Sequence, residues 1–411
     1  MAAYEGYTTL YDYMVHADIP DGDHTIDLNG VIISIEMINK IGDYRFDGSE
    51  TIGNTIADQH MLILRVDGDL TIQENTILQP LVRKKGMFLF AKGNIINNGT
   101  ISMTARGAIA AGQDIQVAYD NKQVLHVIPA IGGTGAPAVS APYNSFTTGV
   151  KGSSKALSTG GGGSGAAMQG QTRYSVISGK GGNGTSYSGG SGGGGISSRY
   201  TATAGTGSST GGPGGNGYAK TDSQYYYMGG GGAGNPGGTG AKSSGSGTAQ
   251  AGEVGTGGLL ILAARNITNH GTIESKGSKG GSTSGGNNNG TQAGGGGSGG
   301  GLIVMMYTTS TSGDGLVTAQ GGAGGVTLAA GREGGAGGDG DIVKMQVGEN
   351  FIIVQQDGKL YYVDANGVEA IPDNLLDYAL LKARAIDASD LYLLDRQEVT
   401  KLYTMNTRSD M

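Results

Sequence analysis

Between Lys151 and Gly340 about a third of all positions are glycine, against roughly 7% in an ordinary globular chain. A stretch so poor in side chains cannot build a conventional apolar core. It either stays a tether or holds itself together through the main chain. Collagen has a similar glycine fraction, but it needs a strict Gly-X-Y period and abundant proline. Here the runs Gly160 to Gly163 and Gly294 to Gly297 break any triplet, and only Pro213 and Pro236 fall in the region. A flexible Gly/Ser linker is the plain alternative. The length of the region and its strand-like apolar interruptions weigh against it. If ordered, such segments can take the extended threefold polyproline-II-like helix, which makes no internal hydrogen bonds. Without side chains, neighbouring helices can approach and pair N–H with C=O, as buried backbone must. Each bond contributes only about 0.5–1.5 kcal/mol net, and glycine loses the most freedom on ordering. Many such bonds are therefore needed.

The rest of the composition narrows the function classes. The net charge is −7 with no basic cluster, which argues against phosphate-driven nucleic-acid binding. No apolar run reaches the length of a membrane span. The chain has no cysteine, so no disulfide framework or thiolate metal site is expected. Met1 to Ile19 is Tyr-rich and does not read as a secretory signal. That combination fits a particle component assembled in the host cytoplasm and released by lysis.

A repeat organises the flanks of the glycine region. Gly86 to Ser102 reappears at Gly258 to Glu274 without a gap: four apolar residues lead to an alanine, then to Asn, Ile, Asn and Gly-Thr-Ile. Looser copies begin at Leu302 and Met61, and a fragment begins at Asp341. Short strand, turn, short strand and glycine-rich excursion make one coil of a stacked β structure, which needs neighbours to bury its apolar face. Unrelated core strands are the alternative. The corners Asn97-Asn98-Gly99 and Asn269-His270-Gly271 suit positive φ.

The expected fold is all-β: stacked β-coil or β-helix-like repeats, an inserted polyglycine-II-type helical sandwich and a small α-helical C-terminal tail. Residues 1–56 form an N-terminal β region with turns at Asp21-Gly22 and Asn29-Gly30, residues 57–106 the first coils, and 107–257 the glycine-rich insertion. Residues 258–345 form further coils, 346–371 a β-hairpin, and 372–411 a helical tail with Asp373 and Ser389 as caps. The tail serves either attachment and oligomerisation or capping of the β stack.

Runs such as Gly229 to Gly238 and Gly181-Gly182-Asn183-Gly184, with Ser/Tyr-rich segments between them, resemble the glycine-rich adhesins at the tips of bacteriophage tail fibres. The Asn-Asn-Gly-Thr-Ile repeat resembles the coils of phage tail-fibre and tail-spike β-helices. The resemblance covers about residues 60–345 and departs from the family in the irregular length of its glycine runs and their alternation with β coils. It implies a non-enzymatic virion protein whose loops contact a bacterial surface glycan or protein, which docks on other tail proteins and assembles as a homo-oligomer, by resemblance a trimer. The receptor-facing candidates are Tyr174, Tyr187, Tyr200, Tyr218, Tyr225, Tyr226 and Tyr227. Tyrosine offers a flat apolar ring with a polar tip. Packing over glycine helices would use the same residues.

Two other readings stand beside it: a purely structural virion protein, and a tail spike that cleaves polysaccharide. The second needs paired carboxylates. Asp67, Asp69 and Glu74 are candidates in the coils, and the stretch from Lys151 to Gly257 offers Asp222 and Glu253. No cofactor is expected. The five histidines show no ligand spacing, and Gly334 to Asp341 matches a calcium-binding turn only once and loosely.

Overall fold

The computed structural model describes residues 3–370 except 120–124, 170–174, 221–225, 244, 286–290, 329, 348–351, 357–358 and 365–366. The expected helical tail at 372–411 lies outside the described residues. The chain is mostly β, with several sheets and one large mixed sheet dominated by parallel pairs.

The large sheet begins with a hairpin. Gly22–Leu28 pairs antiparallel with Val31–Lys40, and the two-residue turn uses Asn29 at φ 55° and Gly30 at φ 90°. Both are positive-φ positions that Asn and Gly accept at little cost. From Val31–Lys40 onward every step is parallel, through Met61–Val66, Met87–Ala91, Leu259–Asn269, Leu302–Ser312 and Ile342–Gln346. A second, five-stranded sheet stacks Glu50–Ile52, Ile77–Pro80, Thr100–Ser102, Thr272–Glu274 and Leu316–Thr318, also parallel.

The central strands are apolar without alternation because both faces are covered, as parallel sheets require. Phe88, Ile261 and Val304 point to one core with Leu10, Tyr13 and Met14. Leu89, Leu262 and Met305 point to the other, with Leu78, Ile101 and Ile273 of the second sheet. The helix Leu10–His16 was not legible in the sequence, which read as β throughout residues 1–56. Thr9 caps it, accepting from the Asp12 amide at 3.1 Å and donating to Asp12 Oδ2 at 2.8 Å. Seven residues, about two turns, are too few to show a helical period.

The repeat pairs with itself, and the two strands of each copy do so differently. Asn94 sits opposite Asn266 and Thr100 opposite Thr272, as the sequence match implies. In the leading strand Met87 pairs with Leu260 rather than Leu259. A one-residue slip exchanges the faces of a strand, and here it places Leu260 and Leu262 with Met87 and Leu89 in one core. Nor do successive copies make a continuous solenoid. The chain leaves the sheets after Thr100–Ser102 and rejoins them at Leu259–Asn269, so the strand Met87–Ala91 has its parallel neighbour on that side from beyond the glycine-rich insertion.

Polar side chains climb the corner of the stack. Asn94 Nδ2 donates to Asp69 Oδ1 at 3.0 Å, Asn266 Nδ2 to Asn94 Oδ1 at 2.8 Å, and Ser310 Oγ to Asn266 Oδ1 at 2.8 Å. A parallel ladder runs inside it. Fully buried Asn97 donates from Nδ2 to Asn269 Oδ1 at 2.7 Å and to the Thr272 carbonyl at 3.1 Å. The asparagines of the motif are thus stacking residues that lie in the strands, and none of the corner residues 97–99 and 269–271 takes the expected positive φ. Gly99 and Gly271 are needed there for close approach, since a Cβ would meet the Gln73 and Gly99 carbonyl oxygens. Lys84, fully buried, is held by Glu36 Oε2 at 2.7 Å, Asn54 Oδ1 at 2.8 Å and the Ile56 carbonyl at 3.1 Å.

Asn97→Ala strands buried partners and should cost about 1–3 kcal/mol, read as a lowered thermal midpoint. Thr100→Ala, on the more exposed face, should stay within about 0.5 kcal/mol. Equal midpoints for the two variants would remove the ladder from the account of stability.

Candidate functional site

The glycine-rich segments are ordered through the main chain. In segment 159–166 the amides of Gly160, Gly161 and Gly162 donate in turn to Gly300, Ser153 and Gly182. The next three, Gly163, Ser164 and Gly165, repeat the rotation with Gly297, Val150 and Gly179. The carbonyls of Gly160, Gly161 and Gly162 accept from Gly190, Gly338 and Ala136, and those of Gly163 and Ser164 from Gly193 and Gly335. Every third residue meets the same neighbour, and the segment is surrounded on six sides.

Segments 189–196 and 293–301 are enclosed in the same manner. Gly190, Gly193 and Ile196 donate to Gly160, Gly163 and Ala166, while Gly299 and Gly296 donate to Gly190 and Gly193. The three segments form an inner triangle. A Cβ built on Gly160, Gly193 or Gly296 would collide with the carbonyl oxygen of Gly338, Gly179 or Gly163. These are backbone atoms, which have nowhere to move.

The level of each residue along the bundle follows from these bonds. Gly160, Gly190 and Gly300 stand level, close to where Leu302 enters the large sheet. Ala166, Ile196 and Gly294 stand level at the far end. Described parts of the connections around residues 139–148, 167–177, 197–203, 219–228, 241–249, 284–292 and 327–332 all lie at that far end. They are joined there by small sheets: Ser140–Ala141 with Val176–Ile177 and Ala202–Thr203, and Phe146–Thr147 with Ala167–Gln169, Ile196–Ser198 and Tyr218–Ala219. Met228–Gly229 joins Ala241–Lys242 and Gln292–Ala293, and Thr248–Ala249 joins Thr283–Ser284. The sequence showed excursions leaving a common point. The structure adds that these seven connections gather on one tip, while others, such as the turn with Tyr187, close at the sheet-proximal end.

The tyrosines divide. Tyr187 is 2% exposed and belongs to the turn at the opposite, sheet-proximal end. Its ring fills the core with Leu259 and Leu302, its hydroxyl donates to Gln113 Oε1 at 3.1 Å, and Lys85 Nζ lies 5.7 Å from the ring centre. Burial pushes its phenol up to about 12. It serves as a plug between bundle and sheet, not as a surface ring. Tyr227 is also buried, with its amide on Ser243 Oγ at 2.9 Å. Tyr226 is half-buried and its carbonyl accepts from Thr291. Tyr218 packs partly against Ile196 and Ala204. Tyr200 is 41% exposed at the tip, with Lys220 Nζ 4.2 Å from its ring centre. Tyr174 and Tyr225 lie outside the described residues.

Two exposed rings at the tip were not among the sequence candidates. Tyr143 is 58% and Phe146 47% exposed, and the Arg332 guanidinium lies 4.7 Å from the Phe146 ring centre. Burial holds the Arg332 pKa below its ordinary value. The glycine-free stretch Pro142-Tyr143-Asn144-Ser145 between glycine segments was the signal that could have found these rings.

The carboxylate candidates have structural partners. Asp67 pairs with Lys92 at 2.8 Å, and that contact holds its pKa below the usual carboxylate range. Asp69 accepts from the Asn94 amide at 2.7 Å, and Glu253 from the Lys279 amide at 2.8 Å. Glu74 lies exposed in a turn, and Asp222 is outside the described residues. In the calcium-like turn, Asp339 meets Lys151 at 2.7 Å and Asp341 accepts from the Leu157 amide at 2.8 Å. Among the described residues no group of three or more His, Cys, Asp or Glu is placed to hold a metal, and no helix is long and apolar enough to cross a membrane.

Comparison with protein-family models, with curated proteins and with solved structures finds no match for the chain.

Gly193→Ala should destabilise by at least about 1–3 kcal/mol through overpacking, or prevent folding, whereas Gly48→Ala, in open space, should stay within about 0.5 kcal/mol. Thermal melts that agree would mean the bundle is looser than its contacts. Tyr187→Ala should cost about 3–5 kcal/mol as a large core truncation, and Tyr200→Ala almost nothing. A reversal of that order would return Tyr187 to the surface.

Proposed function

We propose that this chain is a non-enzymatic adhesin of a phage virion, a tail-fibre component that recognises the bacterial surface through the tip of its glycine bundle. In this reading the segments are extended threefold helices of the polyglycine-II type, packed as a sandwich, and the parallel strands below them are stacked coils that carry the bundle. The observation that supports it best is the gathering of seven connecting stretches at the far end of a bundle whose interior has room for little more than glycine. A rigid main-chain platform then leaves sequence freedom only where the turns are, which suits a surface that must match a receptor. Extended threefold helices rise about 3.1 Å per residue, so the tip stands roughly 20 Å beyond the sheet. The three exposed rings, Tyr143, Phe146 and Tyr200, are amphipathic or flat anchors of the kind that recognition surfaces use at low ordering cost.

The labelled full chain should bind cells of the susceptible bacterium and block adsorption of the parent particle. The variant Tyr143→Ala/Phe146→Ala/Tyr200→Ala should melt like the parent and lose at least tenfold in binding. Absence of binding and of competition by the parent chain would leave a structural virion role. New reducing ends released from the host capsule would instead establish the depolymerase.

A further inference from the structure

We infer that the tip takes an anionic glycan, one carrying phosphate or carboxylate groups. The inference rests on the adhesin reading and names the chemical class of its receptor. The chain as a whole carries a charge of −7. The described tip residues have the opposite sign. Arg199, Lys220, Lys242 and Arg332 lie in the tip connections, against a single carboxylate, Glu333. That carboxylate is turned into its own loop, where Glu333 Oε2 accepts from the Gly331 amide at 2.8 Å. A cationic patch on an anionic body orients the molecule toward an anionic surface tip first.

The cations stand beside rings. Lys220 lies over Tyr200 and Arg332 over Phe146, at 4.2 and 4.7 Å from the ring centres. Both pairs border one four-stranded sheet. Phe146 is on its first strand, and Lys220 follows its last, Tyr218–Ala219, beyond the intervening Ala167–Gln169 and Ile196–Ser198. Three strand spacings of about 4.8 Å put the backbones at Phe146 and Ala219 roughly 14 Å apart, a span on the scale of a short oligosaccharide. Each pair offers an apolar ring for the face of a sugar and a cation for the charged substituent on it. A neutral glycan would engage the rings but would gain nothing from the net positive charge of the tip. A nucleic acid would meet few cations on a chain whose body repels it.

The test uses cell binding by the full chain, so that the two readings fail differently. Lys220→Gln/Lys242→Gln changes two exposed side chains and should leave the melt unchanged while weakening cell binding at least tenfold. Raising salt from 50 to about 500 mM should weaken the parent chain similarly, because exposed charges are screened. Periodate treatment of the cells should abolish binding and protease treatment should not. Competition with polygalacturonate and with phosphomannan distinguishes carboxylate from phosphate as the anion, and dextran should not compete. Cell binding that survives periodate, or is indifferent to the lysine variant, overturns the anionic glycan and leaves the adhesin standing. Effective competition by dextran, or stronger competition by single-stranded oligothymidylate than by either polyanion, overturns it as well. No cell binding at all sinks both readings.

Discussion

The rotation of main-chain hydrogen bonds among segments 159–166, 189–196 and 293–301 is the constraint on which the molecule depends. In a sheet, a strand pairs with two neighbours and its side chains fill the other directions. Here each inner segment bonds on six sides, so the faces turned to the other inner segments leave no room for a side chain. The entropy lost by ordering glycine is offset by main-chain hydrogen bonds rather than by buried side chains. Small individual terms add because almost every inner amide and carbonyl has a partner.

The bundle and the β body support each other. Segment 293–301 passes directly into Leu302–Ser312, and the Leu302 amide bonds to the Gly258 carbonyl at 3.1 Å, at the head of the preceding strand. Asn235, fully buried, ties turns of the bundle together by donating from Nδ2 to the Gly107 and Gly211 carbonyls at 2.8 and 2.9 Å. Tyr187 sinks from a bundle turn into the core of Phe88 and Leu302. Because the bundle itself has no apolar payload, such anchors fix its direction relative to the sheet, and the tip inherits that rigidity.

Much of the β body was legible because its signal is local. The Asn-Ile-x-Asn-x-Gly-Thr-Ile motif carries strand, corner and strand in one short span, and Asn94 to Ser102 does pair with Asn266 to Glu274 in register. The slip at Met87 was not legible, since an apolar run reads the same in either register; which face Leu260 takes is decided by the opposing core. For the candidate site, the tyrosine count singled out the insertion that forms the tip but could not separate the packed Tyr187 and Tyr227 from the exposed Tyr200. Tyr187 and Tyr200 are alike in sequence, each in a Ser/Thr-rich turn. They differ only in which end of the bundle their turn closes, and that is set by hydrogen bonds to segments far away in the chain.

The irregular glycine runs, a departure from the expected pattern, have a geometric cause. Each inner segment is broken by one fully buried serine, Ser164, Ser191 or Ser298. None bonds within the inner triangle: their amides go outward to Val150, Ser208 and Ser278. Their hydroxyls are satisfied there as well. Ser164 Oγ accepts from the Val150 amide at 2.9 Å, Ser191 Oγ donates to the Gly212 carbonyl at 2.6 Å, and Ser298 Oγ donates to the Gly255 carbonyl at 2.9 Å. A buried hydroxyl without such a partner would cost more than the glycine it replaces. Toward the tip the inner register changes from Gly160, Gly163, Gly190 and Gly193 to Ala166 and Ile196, which enter small apolar clusters with Ala293 and with Ala167, respectively. The bundle therefore opens where side chains return, and the glycine runs are as long as the closely packed part and no longer. Their lengths differ because each segment meets the sheet below and the tip above at a different residue.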